Sequence, residues 1–267
     1  RRSNNGGSDA TNVSHNRIVG DTDLVGHDFN VEYIANLSGK EKLVQLNQVV
    51  QSTAGAGTAP LRTEQAGKWA NTSNPIDIIQ SINTETGSFD TGSEMVVLGW
   101  DPTDSHTTNF WEELASVNTT SGDNLSSGTI TAKKYLWVQI WTEATGGTAN
   151  GLLRFNSDSG SNYSYRENVN GGTDGTSTSD SFAGAPAIGT GTSSTPKFGN
   201  VFIINNSANE KLCIEHGIDQ ETAGAGTAPS RRETVAKWAN TSAQITSIQL
   251  VNTGTGDFGT GSIMKVW

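Results

Sequence analysis

The sequence repeats itself. Residues 54–60 read AGAGTAP, and residues 223–229 read the same; residues 68–73 (KWANTS) recur at 237–242. The offset is 169 in both cases. It holds from Phe29 and Phe198 through Lys42 and Lys211, Trp69 and Trp238, and Phe89 and Phe258, to Met95 and Met264. Between 54–73 and 223–242, 15 of 20 positions are identical; between 74–98 and 243–267, 13 of 25 are, without a gap. Self-similarity at one fixed period marks duplicated structural units. Sequences this alike can hardly encode two strand orders, so residues 29–95 and 198–264 are expected to superpose.

The period also divides the chain. Residues 99–267 make one complete module, and residues 1–98 are the C-terminal part of another, about 71 residues short of a period. The opening residues 1–9, RRSNNGGSD, align with 166–174, RENVNGGTD, so Arg1 matches Arg166 at the end of a strand. A four-residue difference in length is absorbed before Phe29. The first module is therefore expected to be incomplete at its N-terminal side. It would be completed by upstream residues of the same polypeptide or by strands of a neighbouring subunit, because open strand edges recruit other strands. Residues 1–98 are not expected to be stable alone.

Composition decides the fold class. Ser, Thr, Asn and Gly number 28, 33, 24 and 31 of 267 residues, which favours turns and strands over helices. Only 16% of residues are charged, against the heptads of a coiled coil. The net charge of −10, with no Lys/Arg stripe, argues against nucleic acid as a partner. The longest apolar runs, 95–98 and 201–204, have four residues, far too few to span a bilayer as a helix, and no membrane partner is expected. Seven Trp, eight Phe and four Tyr sit in short alternating stretches that bury one strand face, which argues for a folded chain. Cys213 is alone, so no intrachain disulfide is expected.

Strand signals fall at 111–117, 135–141, 152–155, 163–166, 201–205, 211–214, 237–239, from Ile245 through Ile248 and Leu250, and at 263–267. A single helical turn at 111–114 is the alternative for that stretch. Polar loops are expected at 145–151 and 170–195, and AGAGTAP reads as a wide turn at a sandwich rim, its glycines permitting positive φ. Trp69 and Trp238 read as core residues. Eight to ten short strands per module imply an all-β chain of two tandem jelly-roll-like β-sandwich modules.

Catalytic chemistry is not visible. His15, His27, His106 and His216 are scattered, and none recurs between modules. Asp101, Asp104 and His106 share one segment, DPTDSH, which reads as a solvated turn rather than a metal or acid/base site. Asp158, in FNSDSGSNY, is one carboxylate among Asn and Ser oxygens and lacks a calcium-loop pattern. Glu112 and Glu113 are adjacent, so on a strand they face opposite sides and cannot work as a pair. Asn-x-Ser/Thr sequons occur at Asn12, Asn36, Asn71, Asn118, Asn124, Asn162, Asn205 and Asn240, little more than random placement yields in such a composition. No catalytic, cofactor-binding or metal residue is expected.

Residues 152–174 (LLRFNSDSGSNYSYRENVNGGTD) resemble segments of phage and related-virus structural proteins. So does the ending, an Ile-rich strand followed by 258–263 (FGTGSI) and a last short strand. A departure is Val266-Trp267 at the close, where that family often has Leu-Tyr-Gly. The resemblance covers most of 99–267 and, through the repeat, most of 1–98. It implies jelly-roll virion components of capsid, decoration, tail or fibre type, located in the virion, partnered by copies of themselves and by other virion proteins. It implies no catalytic residues and no cofactor. A second reading is a carbohydrate-binding adhesin module with a host-surface glycan as partner. In that reading Trp100, Trp111, Trp137 and Trp141 would stack on sugar rings.

Overall fold

The computed structural model describes residues 2–7, 26–84, 86–101, 105, 110–119, 121–187 and 195–267. Every regular element among them is a β-strand. Four strands come first: β1 (Arg2–Asn4), β2 (Asp28–Ala35), β3 (Lys42–Val50) and β4 (Leu61–Trp69). They form one antiparallel sheet in the order β1-β4-β3-β2.

The remaining strands are β5 (Ala115–Thr119), β6 (Asn124–Ser126), β7 (Tyr135–Thr142), β8 (Ala144–Thr145), β9 (Gly151–Phe155), β10 (Tyr163–Val169), β11 (Gly175–Asp180), β12 (Gly184–Ala187), β13 (Lys197–Ile204), β14 (Lys211–Asp219), β15 (Ser230–Trp238), β16 (Ile248–Asn252), β17 (Asp257–Phe258) and β18 (Ser262–Val266). Eight of them make a central sheet, β11-β10-β15-β14-β13-β7-β18-β5. Four make an outer sheet, β12-β9-β16-β6, and β8 pairs with β17. Central and outer sheets enclose the main core, built on Leu136, Val138, Ile140, Leu153, Phe155, Tyr163, Val201, Ile203, Trp238, Ile248, Leu250, Met264 and Val266.

The first sheet lies on the opposite face of the central sheet. Val49, with Phe29 and Val31 beside it, meets Leu212, Ile214, Val235 and Ile204. Side chains alternate across a strand, so β14 sends Cys213 into the main core and Leu212 and Ile214 to the first sheet. That explains why β14 and β15 are buried along most of their length. The molecule therefore has three layers, and within the described residues the first module is a single sheet rather than a sandwich.

The repeat is visible strand by strand. β2, β3 and β4 have the same bounds as β13, β14 and β15 once 169 is added. The register places β1 as well: Arg2 pairs with Gln65 as Glu167 pairs with Thr234, the position 169 beyond Gln65. Here the offset is 165, which is the alignment of Arg1 with Arg166. The turns that follow match too, with Asn5 and Asn170 at φ 50° and 53° and Gly6 and Gly171 at 70° and 75°. Past β4 the likeness continues to Ile76. Asn36 donates to the Ile76 carbonyl and accepts from its N–H, as Asn205 does with Ile245.

The likeness ends there, against the expectation that 29–95 and 198–264 superpose throughout. Residues 79–83 and 93–97 are counterparts of β16 and β18 but form no strand. β16 pairs with β9 and β6, and β18 with β7 and β5. All four partners lie in 115–155, which has no counterpart in 1–98. A strand without a neighbour has no ladder to join. Met95 is 52% exposed where Met264 is 0%, and Val97 58% where Val266 is 0%.

Other expectations are adjusted locally. The strand expected at 111–117 begins only at Ala115, and 111–114 is not helical. The loop expected at 170–195 contains β11, a strand of small polar residues held by backbone pairing, and β12, a Gly-Ala-Pro-Ala strand buried over 184–186 and paired with β9. Trp238 is fully buried, while Trp69 is only half-buried because no second sheet covers it.

Candidate functional site

The chain's most elaborated polar site is the seam between the first and central sheets. Arg62, on β4, has a side chain only 5% exposed; it pairs with Asp174 at 2.9 Å, with Glu233 at 3.2 Å, and with Glu64. Arg166 reaches Asp174 at 3.9 Å, and Arg231 pairs with Glu233. Glu64 and Glu233 occupy the same repeat position and meet across the seam. Asn47 and His216, again one repeat position, line the same small gap. At these two positions equivalent residues face each other; the apolar contacts are not symmetric, since Ile218 and Leu43, counterparts of Val49 and Leu212, are more than half exposed.

Burial pushes the Glu64 carboxyl up to about 6; Arg62 opposes this and Glu233 adds to it. Two carboxyls held close repel when both are ionised, which adds to the effect of burial. His216 is lowered by burial; Glu233 works against that, and Arg62 and Arg231 reinforce it.

One end of the seam is clamped. Lys237, fully buried, donates to the carbonyls of Gln51 at 3.1 Å and of Thr53. Glu210 accepts from the Gly55 N–H at 2.6 Å and lies 3.9 Å from Lys237. Ser179 N–H, Ser164 Oγ and Arg166 Nε then reach the carbonyls of Ala56, Thr58 and Pro60 at 2.8, 3.0 and 3.0 Å. AGAGTAP is thus a turn, as expected, but its first copy joins β3 to β4 of a single sheet and is seated on the second module rather than at the rim of a sandwich of its own. Gly55 takes φ 86°, which lets its N–H turn to Glu210. The second copy, 223–229, is exposed along its whole length. Lys68 and Glu41, counterparts of Lys237 and Glu210, pair only with each other at 3.1 Å, with side chains 62% and 42% exposed.

A second feature is an aromatic row on the face of the central sheet turned away from the main core. Trp137 stacks on Phe202 (5.9 Å between centroids, 10° between planes) and lies 4.9 Å from Trp267 and 5.7 Å from Trp111. Phe110 meets Trp111 edge-on. Trp141 pairs with Phe198 in the ladder, both partly exposed. Of the four tryptophans singled out for sugar stacking, Trp111 and Trp137 come together. Trp141 lies two repeats of the pleat further along β7, beyond Gln139, and Trp100 is 73% exposed in 74–101, with no ring partner among the described contacts.

The other singled-out residues take structural roles. Asp158 closes its own turn, accepting from Gly160 N–H at 2.9 Å and from Asn162, and it accepts the Trp238 indole N–H at 2.8 Å. Burial alone would raise its carboxyl; these bonds hold it below the usual range. Glu112 pairs with Lys133 and Glu113 with Lys265, both at 2.8 Å. Asp104 and His106 of DPTDSH, and His15, lie outside the described residues, and Asp101 is exposed. Among the described residues no group of three or more His, Cys, Asp or Glu is arranged to hold a metal.

Sequence reasoning missed Glu215. It is fully buried on β14 under β12; its carboxylate oxygens make no hydrogen bond of ordinary geometry, and the Ala185 N–H is the group that faces them. A Cβ at Gly184 would stand 2.4 Å from Oε1, so only glycine fits there. Burial pushes this carboxyl well up, and Glu167 adds to it. Its counterpart is Leu46, so the repeat itself held the signal: an acid where the other copy has an apolar residue. The buried Cys213 thiol is likewise pushed well up by burial, with Glu215 contributing. No family model, curated protein or solved structure matches this chain.

Proposed function

We propose that this chain is a non-enzymatic virion structural protein that assembles through β-sheet contacts into a capsid, decoration or tail/fibre component. The observation that carries the reading is the seam. Two copies of one strand unit are stacked face to face and locked where a buried lysine holds the chain entering the first AGAGTAP turn. A chain built this way uses its polar groups to join modules. Its partners in this reading are further copies of itself and other virion proteins, its place is the virion, and it works without a cofactor. The low density of charge suits close packing of many copies, because like-charge repulsion stays modest.

Sedimentation and negative-stain imaging of the purified chain test this. Regular, concentration-dependent assemblies are expected. A chain that stays monomeric at high concentration overturns the reading.

The aromatic row favours one alternative, a carbohydrate-binding adhesin module. Trp111, Trp137 and Trp141 on one sheet face offer a surface on which sugar rings stack. Saturable glycan-array binding abolished by Trp137→Ala, in a chain that does not self-assemble, would select it.

A further inference from the structure

We propose that residues 74–98 and the open edge of β2 form the docking site for one more half-module of this same repeat. Its strands would be patterned like β5, β6, β7 and β9, and would lead into β1 as those strands lead into β10. The second module is the template. There β13, the counterpart of β2, pairs with β14 on one side and β7 on the other; β2 pairs with β3 alone. There Met264 sits between Ile140 and Val117, and Val266 between Val138 and Ala115. In the first module Met95 and Val97 hold those positions in the sequence and stand more than half exposed. Ile82, counterpart of Val251, is 70% exposed.

The site is prepared up to its last step. The Asn36 clamp already holds Ile76 as Asn205 holds Ile245, so the chain leaves β4 along the template's path. What is absent is the set of neighbours that turns the next residues into strands. A folded second copy cannot lend them, because its β7 already lies between β13 and β18. The occupant is thus a half-module not yet paired, adding its strands to the open edge.

The test is a chain carrying a second copy of residues 99–165 ahead of Arg1, compared with the unaltered chain by amide hydrogen exchange. Amides in 79–83 and 93–97 are expected to slow about a hundredfold. In that longer chain, Val97→Asp should release 93–97 while leaving 262–266 protected; Val97→Ile should keep both. Unchanged exchange at 79–83 and 93–97 overturns the proposal. So does protection of those residues in the unaltered chain that rises with concentration alongside a dimer, since the occupant would then be a second copy. Neither result bears on whether the chain assembles through other faces.

Discussion

Lys237 and Lys68 are the same residue at the same repeat position in two different surroundings, and they provide a matched pair of perturbations. Lys237→Met keeps most of the aliphatic stem and removes the ammonium. It leaves the carbonyls of Gln51 and Thr53 without their donor in a closed space, and it takes the cation from beside Glu210. A hydrogen bond to a charged group contributes roughly 1.5–3 kcal/mol. Two of them, reduced by the cost of burying the ammonium, come to about 3 kcal/mol. Lys68→Met removes one exposed ion pair with Glu41, worth about 0.2–1 kcal/mol. Urea unfolding of the full chain, followed by tryptophan fluorescence, measures both. The expected gap is about 2 kcal/mol or more, with proteolysis between β3 and β4 accelerated only in Lys237→Met. Equal effects would refute the clamp, since they would mean that the first AGAGTAP turn is held no better than the second.

Three further outcomes are expected. Glu64, raised from 4.5 to about 6, costs stability as pH rises through that window, because the unfolded chain gives up its proton first. Glu64→Gln should therefore gain on the parent between pH 4.5 and 7 by about 1–2 kcal/mol, after discounting for partial exposure, and a pH-independent difference in urea midpoint would contradict it. Glu215→Leu, which installs the residue found at Leu46, should stabilise the chain at neutral pH, because it replaces a buried carboxyl that has little beyond the Ala185 N–H to offset its burial; a loss in melting temperature at pH 7 would show that this contact outweighs the burial. Trp238→Phe loses the indole bond to Asp158 and part of the stack on Tyr163, which lies 6.2 Å away at 15°; a cost of about 2–3 kcal/mol in thermal or urea unfolding is expected, and a cost below about 0.5 kcal/mol would contradict the role given to Asp158.

How much of this was legible in the sequence depends on where the information resides. The offset of 169 foretold that β2, β3 and β4 share their bounds with β13, β14 and β15, because those strands pair with one another inside each unit. The same offset misled for 79–97. Strand formation there depends on neighbours, and identical residues beside absent neighbours stay open. β11 and β12 were read as loop because the Gly, Ser and Thr of one and the Gly-Ala-Pro-Ala of the other carry no alternating apolar signal, although their backbones pair. The aromatic residues pointed to a core and to a surface row, and both exist, but only the sheet register shows which is which. Trp238 faces the core between sheets, while Trp137 lies on the opposite face beside Phe202. The seam was the least legible feature. Arg62, Asp174 and Glu233 are far apart in sequence, and nothing local marks charges that meet only when two sheets stack.

Amide hydrogen exchange on the unaltered chain tests most directly whether partners, rather than sequence, decide the fate of each repeat. Met95 and Val97 match Met264 and Val266 in sequence position and in all but environment. Expected are near-unprotected rates at Met95 and Val97 beside strongly retarded ones at Met264 and Val266, with β3 and β14 both protected. Equal protection at the two pairs in a monomeric chain would contradict the account.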